Sequence, residues 1–172
     1  MRLYLAIVGI LFFTVGCSDT SPASDLESLL KDQLTYSHST ENWYVPTQIA
    51  IDGLTTEQVN WKDSTGNHSI GELISHITFW NELHLREFNG NDFSGFDIQN
   101  DSTFVIYSEK DWKRLTTKLD SVQSELIRIM ESASEEQLSK WATNMLNIAS
   151  HNAYHVGQIL YIRKQNGWWS RK

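Results

Sequence analysis

The run Ser150-His-Asn-Ala-Tyr-His-Val-Gly-Gln-Ile-Leu-Tyr-Ile-Arg-Lys164 predicts the core of a final helix, extending from about Thr143 to Gln165 and stopping near Gly167. On that helix His151 and His155 lie one turn apart, with Cβ atoms roughly 5–6 Å from each other. Both imidazoles can then reach one metal ion. A third candidate is His76, in Ile70-Gly-Glu-Leu-Ile-Ser-His-Ile-Thr-Phe-Trp80. Two histidines from one helix and one from another would leave coordination positions open for water or substrate. Spacing alone is weak evidence, because a pair four residues apart is more often coincidental than ligating.

Upstream, three four-residue signatures mark helix starts. Thr55-Thr-Glu-Gln58, Ser69-Ile-Gly-Glu72 and Ser134-Glu-Glu-Gln137 each read as a capping box, a hydroxyl at the N-cap with Glu or Gln three residues later. Ser69 opens a helix with Leu73, Ile77, Trp80 and Leu83 on one face, ending near Asn89-Gly90. Trp112, Leu115, Leu119, Val122, Leu126 and Ile129 fall in register on another. The first helix is expected over Asp25–Asp52, bent or interrupted near Pro46, whose ring clashes with the preceding turn. Ser134 is expected to open only a short turn reaching Trp141. Residues 91–107 mix Phe93, Phe96, Phe104 and Tyr107 with glycine, asparagine and aspartate, and predict a long connection wrapped over the helices by its aromatics. The expected fold is all-α, a four-helix bundle with a long crossover between its second and third helices.

The N-terminus predicts export. Arg2 is the only charged side chain before Asp19, and the apolar run Leu3–Val15 is shorter than the ~20 residues that span a bilayer. It ends at Val15-Gly16-Cys17-Ser18, which resembles a bacterial lipobox, with Thr14 where that pattern usually has leucine. Residues 1–16 are thus expected to be a lipoprotein signal peptide, Cys17 the lipidated residue, 17–24 a tether and 25–169 the domain. The location implied is the cell envelope, lipid-anchored to a membrane. A single cysteine leaves no internal disulfide, so stability must come from packing or a metal.

The formal charge of the 172-residue chain is −7, and no basic stripe is present, which argues against a nucleic-acid partner. No Gly-rich phosphate loop, Cys-x-x-Cys pair or Gly-x-Ser-x-Gly elbow occurs. Seven tryptophans read as core and rim packing, and exposed aromatics leave a homodimer open.

Gly53-Leu-Thr-Thr-Glu-Gln58, Trp61–Leu73, His76-Ile-Thr-Phe-Trp80 and His151-Asn-Ala-Tyr-His-Val-Gly-Gln-Ile159 together resemble the DinB-like superfamily of metal-binding four-helix bundles, over about residues 25–169. The resemblance implies that His76, His151 and His155 are the metal ligands. It implies a divalent ion, zinc or nickel first, with manganese and iron as further candidates. Family members include thiol S-transferases, hydrolases and isomerases acting on small molecules. Thiol transfer with a cytoplasmic cosubstrate does not suit an exported domain, so an envelope transferase or hydrolase is expected, or else a non-catalytic metal-binding or structural bundle. The catalytic residues are unknown. Glu72, one turn before His76, is a candidate base, although its capping role explains it equally. His68 is expected in an exposed loop and His84 on the surface, whereas His38 is a candidate extra ligand or partner. Gly157 is expected to permit close helix approach, and Gln158 to orient a neighbour or face solvent.

Overall fold

The computed structural model describes residues 22–105 and 108–170. The expected signal peptide, Cys17 and Tyr107 lie outside the described residues. The described residues are all helical: α1 Pro22–His38, α2 Thr47–Ile51, α3 Thr56–Asn60, α4 Ile70–Phe88, a 3₁₀ turn Asn100–Thr103, α5 Glu109–Ser132 and α6 Glu135–Gln165. None of them is long and apolar enough to cross a membrane.

All three capping boxes form. Thr55, Ser69 and Ser134 each accept from the backbone N–H three residues on, while Gln58, Glu72 and Gln137 return the contact to the cap N–H. The consequences differ from expectation in two places. Ser134 opens no short turn but the whole of α6, 31 residues or about 46 Å, because neither proline nor glycine interrupts the chain before Gly157. The expected helix 25–52 is instead two helices. α1 starts at Pro22, inside the expected tether, and proline suits a first helical turn. It closes where the N–H groups of Ser39 and Thr40 both reach the Thr35 carbonyl. α2 starts only after Pro46, and the Thr47 hydroxyl donates to the Ser37 carbonyl at 2.7 Å, tying the two pieces together.

The four long helices pack as α1 on α5 and α6, and α4 on α5 and α6. Their apolar faces make two clusters. One gathers Ile70, Ile74, Ile77, Leu119, Val156 and Ile159 around α3 and α4, and the other gathers Leu30, Leu34, Leu126, Met130, Met145 and Ile148. Polar residues occupy the level between them. Asn81 lies one turn from Ile77 and from Leu85, Asn152 one turn from Ile148 and from Val156, and Gln123 one turn from Leu119 and from Leu126. All three are fully buried, and the Asn81 amide donates to Asn152 Oδ1 at 3.1 Å. This joins α4 to α6 within one or two turns of the candidate ligands along each helix.

Glycine roles also shift. A Cβ on Gly157 would meet nothing within 4 Å, so it does not serve close packing; Gly71 does, where a Cβ would stand 3.1 Å from the Val59 carbonyl oxygen. Trp112 is buried and Trp61 meets Trp168 edge to face, but Trp43 is 96% exposed and packs in no core.

Candidate metal centre

α4 supplies His76, and successive turns of α6 supply His151 and His155. Their ligating nitrogens all lie within 4.8 Å of one another. His151 Nε2 stands between the other two, 3.1 Å from His76 Nε2 and 2.9 Å from His155 Nε2. His76 and His155 are buried and His151 is half-buried.

Neighbouring groups set the ring orientations. The Thr103 hydroxyl donates to the Asn100 carbonyl at 2.7 Å, so it accepts from His76 Nδ1–H at 2.6 Å. The Ser75 hydroxyl donates to the Thr103 carbonyl at 2.7 Å, so two consecutive residues of α4 hold the 3₁₀ turn in place. On α6, His155 Nδ1–H donates to Gln158 Oε1 at 2.6 Å. With their Nδ1 protons engaged, His76 and His155 present unprotonated Nε2 lone pairs towards His151. One proton on His151 can satisfy only one of those lone pairs at a time, whereas one cation satisfies all three rings. Metal–imidazole bonds of ~2.0–2.1 Å in a tetrahedral site need nitrogens roughly 3.3 Å apart, a few tenths more than these. The donor set therefore fits a divalent ion.

Aromatic rings close the site. Phe104 is sandwiched between His76 and His68, with centroids 4.3 and 3.6 Å away and planes within 7° and 4° of parallel. Trp80 meets His76 edge-on, and Tyr154 does the same to His155. The connection before α5 thus lies against the site through Thr103 and Phe104.

Burial pushes His76 and His151 from 6.5 down to about 4, and the adjacent His155 adds to the effect. Burial lowers His155 as well, against the raising influence of Gln158. Between about pH 4 and 6.5 the unfolded chain therefore binds more protons than the folded one, so stability rises with pH. We expect chelator-treated protein to be most stable above about pH 6.5 and to lose stability progressively as pH falls towards about 4. Urea midpoints between about pH 7 and about pH 5 check this, with a shallower slope in His76→Gln. A flat wild-type profile would contradict it.

The remaining histidines are not part of the triad. His38 Nε2 stands 3.0 Å from Asp120 Oδ1, which also accepts from Gln48, so His38 links α1 to α5 and is no ligand of this site. Burial pushes His38 below its ordinary value despite the Asp120 carboxylate. His84 pairs with Glu87 at 2.8 Å. His68 is partly exposed as expected, but its stacking on Phe104 places it against the site wall. Glu72 accepts from the Ser69 N–H at 2.7 Å and meets Lys62 Nζ at 3.0 Å. Burial would raise its carboxyl, but these partners outweigh that and hold it below the usual range, so it is committed to capping and ion pairing. Thr103 and Phe104 escaped sequence reading because the connection has no periodicity; the run of aromatics in it was the one available signal.

A family model described as the DinB superfamily matches residues 47–159, which contain all three histidines, Thr103 and Gln158. No curated protein and no solved structure shows a significant match to the chain.

Proposed function

The chain belongs to the DinB superfamily, and on that premise we propose that it is a divalent-metal-binding protein of the cell envelope, serving metal-dependent transfer or hydrolysis of a small molecule. The observation that carries this reading is the convergence of three neutral imidazoles, two buried and one half-buried, with ligating nitrogens within 4.8 Å of one another and two of the rings fixed by Thr103 and Gln158. The pairwise packing of α1, α4, α5 and α6, and the long α4–α5 connection, support reading the domain as a four-helix bundle with a crossover. The envelope location rests on the apolar leader and Cys17 alone.

Three uncharged ligands would leave a divalent ion its full charge, and such an ion supplies Lewis acidity, lowering the pKa of water towards ~7 or polarising a carbonyl. His76, His151 and His155 would hold it. Thr103 and Gln158 keep the two ring orientations, and Phe104 and Trp80 shield the His76 side from water. On the Nδ1 side of His155, Gln158 and Tyr154 border an open cleft of about 410 Å³.

A non-catalytic reading draws on one feature: the site bridges only α4 and α6, so an ion there would also pin those helices together. Both readings require metal. Untagged protein is expected to carry near one equivalent of divalent ion by inductively coupled plasma mass spectrometry. Absence of metal after reconstitution with zinc, nickel and manganese would sink both. The catalytic reading further requires exchangeable solvent at the ion, visible as water-proton relaxation enhancement in manganese-loaded protein; no enhancement would leave the structural role.

A further inference from the structure

The cleft beside the histidines has an uneven chemistry. Its walls are the rings of Trp61, Tyr154 and Tyr161 with Leu73 and Ile162, and Gly157 opens its α6 side. About 410 Å³ lies at the small end of the range that holds small organic molecules. No lysine or arginine lines it, and Asp63 is its one carboxylate. That carboxylate already accepts from the Thr65 N–H at 2.9 Å, the Thr65 hydroxyl at 2.5 Å and the Asn67 amide at 3.3 Å. It therefore repels anions, with most of its acceptor capacity already engaged, in a chain whose net charge of −7 adds to the repulsion.

We propose that this cleft, which borders the metal centre on the Nδ1 side of His155, is a ligand-binding site whose walls select uncharged small molecules with a planar apolar body over carboxylates and phosphates. The proposal rests on the metal-site reading for what becomes of the ligand, but not for its binding. Three residues couple cleft to site. Gln158 lines the cleft while accepting from His155 Nδ1, Tyr154 lines it while its ring meets His155 at 5.0 Å, and His68 lines it while stacking on the Phe104 that covers His76. A flat body lying along the aromatic walls gains stacking and apolar burial, and the Gln165 amide, the Gln158 NH2 and the Asn67 Oδ1 can meet its polar edge. An anion would lose its hydration with no lysine or arginine in the cleft walls to replace it. The wider groove along α4 and α5 differs in this respect, since Lys110, Lys113, Arg114 and Lys118 border it.

The test compares 2-naphthamide with 2-naphthoate, nearly equal in shape and different in charge, by calorimetric titration of the full chain. The amide is expected to bind at least about tenfold more tightly, an energy of ~1.4 kcal/mol. Gly157→Leu, whose Cβ would meet nothing within 4 Å and whose side chain would project into the cleft, should abolish amide binding and leave metal content at the wild-type level, while Gly157→Ala should bind nearly as wild type. Gln165→Lys should raise naphthoate affinity. Equal or tighter naphthoate binding, no amide binding, or amide binding unaffected by Gly157→Leu would each overturn the proposal. Amide binding to protein that takes up no metal would overturn only the metal-site reading.

Discussion

Replacing His151 by alanine is expected to abolish metal binding while leaving the helices intact. His151 Nε2 lies within 3.1 Å of both other ligating nitrogens, so its removal leaves only two nitrogens, those of His76 on α4 and His155 on α6. Loss of an orienting partner of a metal ligand costs about 10–100-fold in affinity, and loss of a ligand should cost more than that range. Thr103→Val provides the graded comparison. It keeps the shape of the side chain but removes the acceptor for His76 Nδ1–H, and its loss should fall within about 10–100-fold. Competition against a chelator of known affinity measures both, with far-UV circular dichroism as the fold control. Undiminished metal content in His151→Ala would refute the site. A Thr103→Val affinity equal to wild type would refute the orienting role alone.

Leu34→Ala is expected to cost ~2–5 kcal/mol of folding stability, which for a chain of this size lowers the melting temperature by roughly 10 °C. α1 lies outside the family match over residues 47–159, yet Leu30 and Leu34 are both fully buried, in one cluster with Leu126, Met130, Met145 and Ile148. Truncating Leu34 opens a cavity between α1, α5 and α6, where rigid neighbours on two long helices limit collapse. Thermal and urea unfolding of metal-loaded protein measure the change. A loss below about 1 kcal/mol would show that α1 is a loosely docked leader and not part of the domain core.

The parts of this protein legible in its sequence are those governed by interactions within a few residues. A capping box involves two residues three apart, and Thr55, Ser69 and Ser134 form theirs as written. The faces Leu73–Ile77 and Leu115–Leu119–Leu126 follow the helical period and end in the core. The separation of His151 and His155 by one turn needs nothing beyond α6 itself. Where local signals competed, sequence reading erred. Pro46 suggested a bend or an interruption, and α2 does begin just after it, but the chain had already left α1 by Ser39; and the Ser134 cap suggested a turn, because nothing in four residues states how far a helix continues.

Tertiary structure decided the rest. The contact between His76 Nε2 and His151 Nε2 joins residues 75 positions apart, and only the packing of α4 on α6 brings them to 3.1 Å. Thr103 reaches His76 from an irregular connection, Asn81 meets Asn152 across the core, and His38 turns to Asp120 instead of the metal site. None of these pairings carries a sequence period, since each depends on how far two helices slide and rotate against one another. The sequence by itself determined where the capped helices start, which faces are apolar and which side chains could ligate. The relative placement of α4, α6 and the 3₁₀ turn decided which nitrogens converge, because apolar burial is non-directional and only close packing of complete helices selects one register among many.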